Sequence, residues 1–354
     1  MQRSAWVVPL GDLTPQDREL AGPKMARLGE LLRIGVPVPQ GFVITSASYK
    51  TFLERGNLSG EIRKTLDAIK PETEKIDKVE DALEKLRGFL QSAEMPAELR
   101  AMIHQGYADL CKSLGVGSTP VAVRSSATSE DAAEASLAGQ FETYLGVGEE
   151  DLEANVKKCW ASLFTPRAVT YLLRKHLPIH RALMAVGVQA LVDAKSAGVA
   201  FTLDPVTGDS SKIVIEGSWG LGESVVQGRI TPDRYVLDKR SLAILTTLIS
   251  NKTKGLLYDP ARKRVTEFIV PKEAASKPCL SQEHAIELAR LTIQIERHYD
   301  NPQDIEWVLG KETSIPQKIQ IVQCRPETVW SARKSKKFDA VDYMIESLFR
   351  RKDR

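Results

Sequence analysis

The stretch Ala185-Val-Gly-Val-Gln-Ala-Leu-Val192 decides how this chain is organised. It reads as a strand, and it marks a change of texture. Upstream of it helical periodicity dominates. Pro23–Ile34 places Met25, Leu28, Leu31 and Leu32 at helical spacing, with Pro23 suited to a first turn and Gly35 to the position just past the end. Ser46 caps a second predicted helix that Gly56 ends, and further helices are predicted over 59–70, 73–92, Pro96–Leu114, 149–163 and 166–176. Short strands interrupt them at Phe42–Thr45, Val121–Val123 and Phe141–Val147.

Downstream the order reverses. Strands are expected at Gly198–Leu203, Lys212–Gly217, Arg234–Leu237 and Ala243–Ile249, with one helix over 282–299 capped by Ser281. Asp304–Leu309 and Lys318–Gln323 close the series as a hairpin. The expectation is an α+β molecule with a helix-rich lobe at 1–183 and a strand-rich lobe at 184–329, followed by a tail at 330–354.

Composition narrows the function classes. The chain has 354 residues, 42% hydrophobic and 27% charged, an ordinary globular balance that excludes collagen-like and low-complexity chains. Lys plus Arg number 49 against 46 Asp plus Glu, a net charge of +3 that gives no reason to expect nucleic acid or a membrane surface. Residues 331–354 hold eight Lys/Arg and four Asp/Glu, so the basic excess lies in the tail. The cysteines Cys111, Cys159, Cys279 and Cys324 are far apart, which fits a reducing cytoplasm rather than a zinc site or a disulfide framework. The first 13 residues do not read as a signal peptide, and no apolar run is long enough to span a bilayer.

Three places could carry chemistry. Arg124-Ser-Ser-Ala-Thr-Ser-Glu-Asp131, continuing to Ala138-Gly139-Gln140, runs a strand into hydroxyls and small residues. Such a loop brings backbone N–H groups close to an anion, and Arg124 can pair with phosphate oxygens; a Ser/Ala-rich surface loop is the other reading. In Asp304-Ile-Glu306-Trp307 the alternation puts both carboxylates on one face, and Gln323-Cys324-Arg325-Pro326 likewise puts Gln323 and Arg325 together. If the two strands pair, carboxylate, amide oxygen and guanidinium converge, a set that suits Mg²⁺ with a polyphosphate; a solvated strand face is the alternative. Gly217-Ser-Trp-Gly-Leu-Gly-Glu-Ser-Val-Val-Gln-Gly228 has Val225 where a dinucleotide fingerprint needs its third glycine, so a Gly-rich turn is expected there. The five histidines, His104, His176, His180, His284 and His298, form no metal-ligand pattern.

These pieces together resemble the nucleotide-binding domain of the phosphoenolpyruvate synthase, pyruvate phosphate dikinase and rifampin phosphotransferase family. The matching motifs are Gly22-Pro-Lys24 with Leu28-Gly29-Glu30, Val36-Pro-Val-Pro-Gln-Gly-Phe42, Val123-Arg-Ser-Ser-Ala-Thr-Ser-Glu-Asp131, Ser136-Leu-Ala-Gly-Gln-Phe-Glu-Thr-Tyr144, Gly220-Leu-Gly-Glu223, Asp304-Ile-Glu-Trp307 and Gln323-Cys-Arg-Pro326. The resemblance implies an ATP-grasp-like fold with ATP between two lobes. It implies phosphate contacts from Lys24, Arg124 and Arg325, a phosphate-covering segment holding Gly139 and Thr143, and Gln189 near the adenine. It also implies Mg²⁺ ligation by Glu306 and Gln323, with Asp304 in support.

Family enzymes carry a further domain whose histidine accepts the β-phosphoryl of ATP, in a Gly-Gly…Ser-His-Ala type motif. None of the five histidines has that setting. The expectation is therefore a phosphotransferase part that works with a phospho-histidine domain or partner subunit. The first expectation is a separate ATP-binding subunit serving phenol phosphorylation, as in phenylphosphate synthase; the alternatives are an isolated domain of a phosphoenolpyruvate synthase-like enzyme, or a nucleotide sensor without turnover. The final acceptor, of the phenol or pyruvate class, would be bound by the partner. In the tail, Phe338, Val341, Ile345 and Leu348 line one face of a predicted helix over about 338–350. Partner docking and packing on its own lobe are both open for that helix.

Overall fold

A computed structural model describes residues 6–69, 76–128, 142–174, 182–311, 319–327 and 330. Two sheets organise it. The first has five strands in the order β1 (Val7–Pro9), β2 (Gly41–Ile44), β5 (Met184–Ala190), β3 (Val121–Ala127) and β4 (Thr143–Val147). The second has six, β13 (Ile319–Pro326), β12 (Gln303–Gly310), β6 (Ala194–Phe201), β7 (Lys212–Trp219), β8 (Asp233–Asp238) and β9 (Ile244–Leu248). All pairings within both sheets are antiparallel. A separate hairpin joins β10 (Lys254–Asp259) to β11 (Arg264–Ile269). The mixture of helix and antiparallel sheet agrees with the α+β expectation.

The strand expected to open the strand-rich half lies elsewhere. β5 is sandwiched between β2 and β3, with Val186 opposite both Ile44 and Ser125. The chain crosses to the second sheet between Ala190 and Ala194. Two further differences are the short β1 and the β10–β11 hairpin, neither of which was expected.

Alternation along the first sheet sorts its side chains. Phe42, Ile44, Val121, Val123, Val186 and Val188 join a core built with the helices over 46–174. Its centre is Trp160, fully buried, with its ring stacked on Phe52 at 4.9 Å. The opposite face, marked by Val43 and Ala185, shares a second core with α1 (Arg18–Arg33), α10 (Gln282–Tyr299) and one face of the second sheet. Trp307 of β12 is fully buried there, and its indole N–H donates to Val199 O at 3.1 Å. One apolar core therefore spans both sheets and fixes α1 between them.

Local signals behave as the sequence predicts around α10. Ser281 accepts the amide of His284 at 3.2 Å, a side-chain cap on the first turn. α1 has a short helical piece from Arg18 ahead of the expected helix, separated from it at Gly22 (φ 69°, ψ 159°). Gly22 is not helical, so Pro23 opens the main segment of the helix, as its fixed φ and missing N–H suit it to do.

Candidate functional site

β12 and β13 pair as the alternation requires. Asp304 stands opposite Arg325 and Glu306 opposite Gln323, with a bulge between Glu306 and Trp307 that ends the regular register. Arg325 Nε donates to Asp304 Oδ2 at 2.8 Å, and its Nη2 donates to the same oxygen. Gln323 Nε2 donates to Glu306 Oε1 at 2.9 Å. Burial pushes the Asp304 carboxyl above its ordinary range; the Arg325 guanidinium pulls the other way.

The first sheet supplies the remaining groups. Arg124 lies opposite Thr143 on one side and Gly187 on the other, while Ala122 faces Gln189. Directly opposed residues share a face, so Arg124, Thr143 and Gln189 stand on one side of that sheet. Thr143 is exposed; Gln189 and Arg124 are buried. Arg124 reaches across to the second sheet, with Nη1 at 3.6 Å from Glu306 Oε2.

Lys24 arrives by way of α1. The helix touches β3 at Ser126, whose Oγ accepts the Met25 amide at 3.4 Å. That contact fixes the backbone next to Lys24 two residues along β3 from Arg124. Lys24 itself is half-buried. Its positive charge pulls on the buried Cys159 thiol, which burial nonetheless pushes well up.

Six of the residues singled out from sequence therefore fall into two groups, Asp304, Glu306, Gln323 and Arg325 on the second sheet and Arg124 with Gln189 on the first. The Arg124–Glu306 contact joins them. Gly139 and the loop after Thr128 lie outside the described residues, as do His176, His180 and the tail beyond Trp330. The Gly217–Gly228 segment is a turn as expected: β7 ends at Trp219, Gly220 turns, and a four-residue helix follows from Glu223.

The same sheet face holds groups that the sequence reading passed over. Val199 of β6 pairs with Glu306 on one side and Glu216 on the other. Glu216 thus stands two strands from Glu306, roughly 10 Å away at ordinary strand spacing. Arg234 joins it, with Nη1 3.1 Å from Glu216 Oε1 and Nη2 3.3 Å from Asp204 Oδ1. Strand alternation over Lys212–Trp219 places Glu216 correctly, but only the pairing across β6 shows that it shares a face with Glu306.

The donor set fits a hard divalent cation: two carboxylates and an amide oxygen, with cations alongside for an anionic ligand. Among these site residues two buried polar atoms have no hydrogen-bond partner, Arg124 Nε and Gln189 Oε1. One donor and one acceptor left in this way need a ligand or water to satisfy them. Among the described residues no group of three His, Cys, Asp or Glu could hold a metal, so any cation here takes Gln323 or a ligand oxygen as well. No described helix is long and apolar enough to cross a membrane.

Comparison with known proteins finds relatives over most of the chain. The chain is 42% identical over 353 residues to a probable phosphoenolpyruvate synthase of Staphylothermus marinus, covering 94% of this chain and 42% of that protein. It is 43% identical over 351 residues to a phosphoenolpyruvate synthase of Aeropyrum pernix, covering 91% and 42%. A probable phosphoenolpyruvate synthase of Methanocaldococcus jannaschii is 39% identical over 339 residues, covering 95% and 28%. The chain thus spans less than half the length of these curated relatives. The family described as "Pyruvate phosphate dikinase, AMP/ATP-binding domain" matches residues 18–344, taking in Lys24, every sheet strand but β1 and the whole Asp304–Arg325 segment, and the chain belongs to that family.

Proposed function

We propose that this chain is the nucleotide-binding, phosphoryl-donating part of a phosphoenolpyruvate synthase-like dikinase. It holds ATP between its two sheets in an ATP-grasp-like manner and donates the β-phosphoryl to a histidine on a partner domain or subunit, leaving AMP and phosphate. The observation that carries this reading is the Arg124–Glu306 contact at 3.6 Å, which brings cationic and carboxylate groups of separate sheets to one point.

In this reading Lys24, Arg124 and Arg325 bind phosphate oxygens and offset charge on the transferring group. The backbone that carries them is set before the ligand arrives, α1 by its contact with Ser126 and Arg325 by the pairing of β13 with β12. Such preorganised electrostatics and positioning do most of the work in phosphoryl transfer. Gln189 orients the base through its unpartnered Oε1, and Thr143 lies beside the phosphates, opposite Arg124. Glu306 and Gln323 would hold Mg²⁺, supported by Asp304. When bound, the ion neutralises phosphate charge.

The acceptor histidine would come from the partner, since none of the five histidines stands in a Ser-His-Ala setting. The relatives' names favour a pyruvate-class final acceptor.

The test is calorimetry with Mg·ATP on the purified chain, followed by AMP assay with and without a phospho-histidine domain of a family synthase. Binding with AMP formed only in the presence of that domain is expected. Glu306→Ala and Arg325→Ala should each lower transfer about 10²–10³-fold. Rapid AMP formation by the chain alone, or full transfer by folded variants, would overturn the reading. A panel of pyruvate and phenol in the reconstituted system assigns the acceptor class.

A further inference from the structure

The carboxylates that suit a divalent cation are already engaged by the chain's own donors. Glu306 Oε1 takes the Gln323 amide at 2.9 Å, and Oε2 has the Arg124 guanidinium at 3.6 Å. Asp304 Oδ2 takes both Nε and Nη2 of Arg325. The Asp304 and Glu306 side chains are only 11% and 19% exposed, so water is poorly placed to replace these partners. A cation entering alone would have to share oxygens with two guanidiniums and meet their charge at close range.

We propose that Arg124 and Arg325 close the Glu306 and Asp304 carboxylates to free divalent cation, and that a nucleotide's polyphosphate opens them by drawing both guanidiniums onto its own oxygens. The cation then enters with the nucleotide and not before it. This rests on the nucleotide reading above and adds an order of binding to it.

Three features of the site support the exchange. Arg124 Nε is buried without a partner, so its pairing with Glu306 leaves a donor that a phosphate oxygen would satisfy. Arg325 is 39% exposed, so its guanidinium can turn toward a ligand without leaving a packed position. Gln323 meets Glu306 through its NH₂, and a half-turn of the amide presents the oxygen that a cation needs. Coupling of this kind is reciprocal: cation must raise nucleotide affinity by the factor with which nucleotide raises cation affinity.

Mn²⁺ is the probe, followed by paramagnetic resonance of the free ion against the full chain, with and without a non-hydrolysable ATP analogue. Without the analogue, wild type should bind Mn²⁺ weakly. Arg124→Ala should bind it at least about tenfold more tightly, with Glu306→Gln added to Arg124→Ala abolishing the gain. Arg325→Gln makes the same test should Arg124→Ala fail to fold, since Arg325 lies partly in solvent. The interlock is overturned if wild type binds Mn²⁺ equally well with and without the analogue. It is also overturned if freeing either carboxylate leaves nucleotide-free Mn²⁺ affinity unchanged. Calorimetry of the analogue on wild type is a separate readout. Failure to bind there sinks the nucleotide reading itself, whereas an analogue that binds while the arginine variants gain no Mn²⁺ sinks only the interlock.

Discussion

The Arg27 guanidinium of α1 lies 4.4 Å over the ring of Tyr299, the last residue of α10. Around that stack, Glu30 accepts from the Tyr299 hydroxyl at 3.0 Å and pairs with His298 Nε2 at 2.8 Å. Arg27 Nη1 also approaches Gln303 Oε1 of β12 at 3.5 Å. α1, α10 and β12 are therefore tied at one point, one helical turn beyond Lys24, with Arg27 and Gln303 buried in it.

Replacing Arg27 should disturb both stability and ligand binding. Arg27→Ala removes the stack and the aliphatic packing of the side chain, a loss of about 2 kcal/mol in a desolvated setting. Arg27→Lys should recover little of it, because an ammonium cannot lie flat on the ring. Nucleotide affinity should fall with stability, since Lys24 depends on the seating of α1. Urea unfolding and calorimetric titration read the two effects. A lysine variant as stable as wild type would show that planarity is not what matters.

Gln189 should behave in the opposite way. Its Oε1 is buried without a partner, and its Nε2 makes one long bond to Pro39 O at 3.4 Å. Gln189→Leu removes an unsatisfied polar atom as well as that bond, so stability should stay within about 1 kcal/mol of wild type. Nucleotide affinity should drop about tenfold, the equivalent of ~1.4 kcal/mol. Unchanged affinity in a folded variant would remove Gln189 from the base-binding role.

Asp204 gives a pH-dependent test. Burial pushes its carboxyl up, but hydrogen bonds from Val206 and Thr207 and the charge of Arg234 outweigh burial and hold it below the ordinary 3.8. A depressed carboxyl stabilises the fold above its unfolded pKa, and that stabilisation is lost as pH falls through the folded value. Asp204→Asn should therefore cost roughly 1.5 kcal/mol at pH 7 through weaker hydrogen bonds. The gap should hold constant down to about pH 5 and close below 3.8. A gap that widens in acid would reverse the sign of this argument.

How much of this was visible in the residues depends on how local the signal is. β12 and β13 pair antiparallel as expected because period-2 alternation fixes which side chains share a face. α10 was legible because Ser281 and a regular apolar stripe mark it. β5 reads as a strand but not as a member of the first sheet, because its partners are 140 and 60 residues away in the chain and register between distant strands leaves no local trace. The β10–β11 hairpin is mostly surface: Gly255 and Leu256–Leu257 break its alternation, and Ile269 points to solvent at 81% exposure. Within the site, Lys24, Arg124 and the hairpin were recognised by motif. Glu216 and Arg234 were not, because only pairing through β6 aligns them with Glu306.

The break in α1 supplies the last prediction. Gly22 has φ 69° and ψ 159°, a region that side-chain-bearing residues all but avoid, at a cost of about 1–3 kcal/mol. A Cβ there would also fall on the Oγ and carbonyl oxygen of Ser126. Backbone is in the way, so the helix itself would have to move off β3. Gly22→Ala should therefore lose several kcal/mol, strain adding to displacement. The residue two positions on is Lys24, so nucleotide affinity should fall further than the stability loss alone explains. Gly88, on the exposed face of the helix over Ile76–Ser92, is the control, since a Cβ there meets nothing within 4 Å. Gly88→Ala should stabilise by up to about 1 kcal/mol through helix propensity alone. Thermal unfolding of the pair, with nucleotide titration of each folded variant, separates the two cases. A Gly22→Ala protein as stable and as tightly binding as wild type would show that α1 is not held against Ser126 in this way.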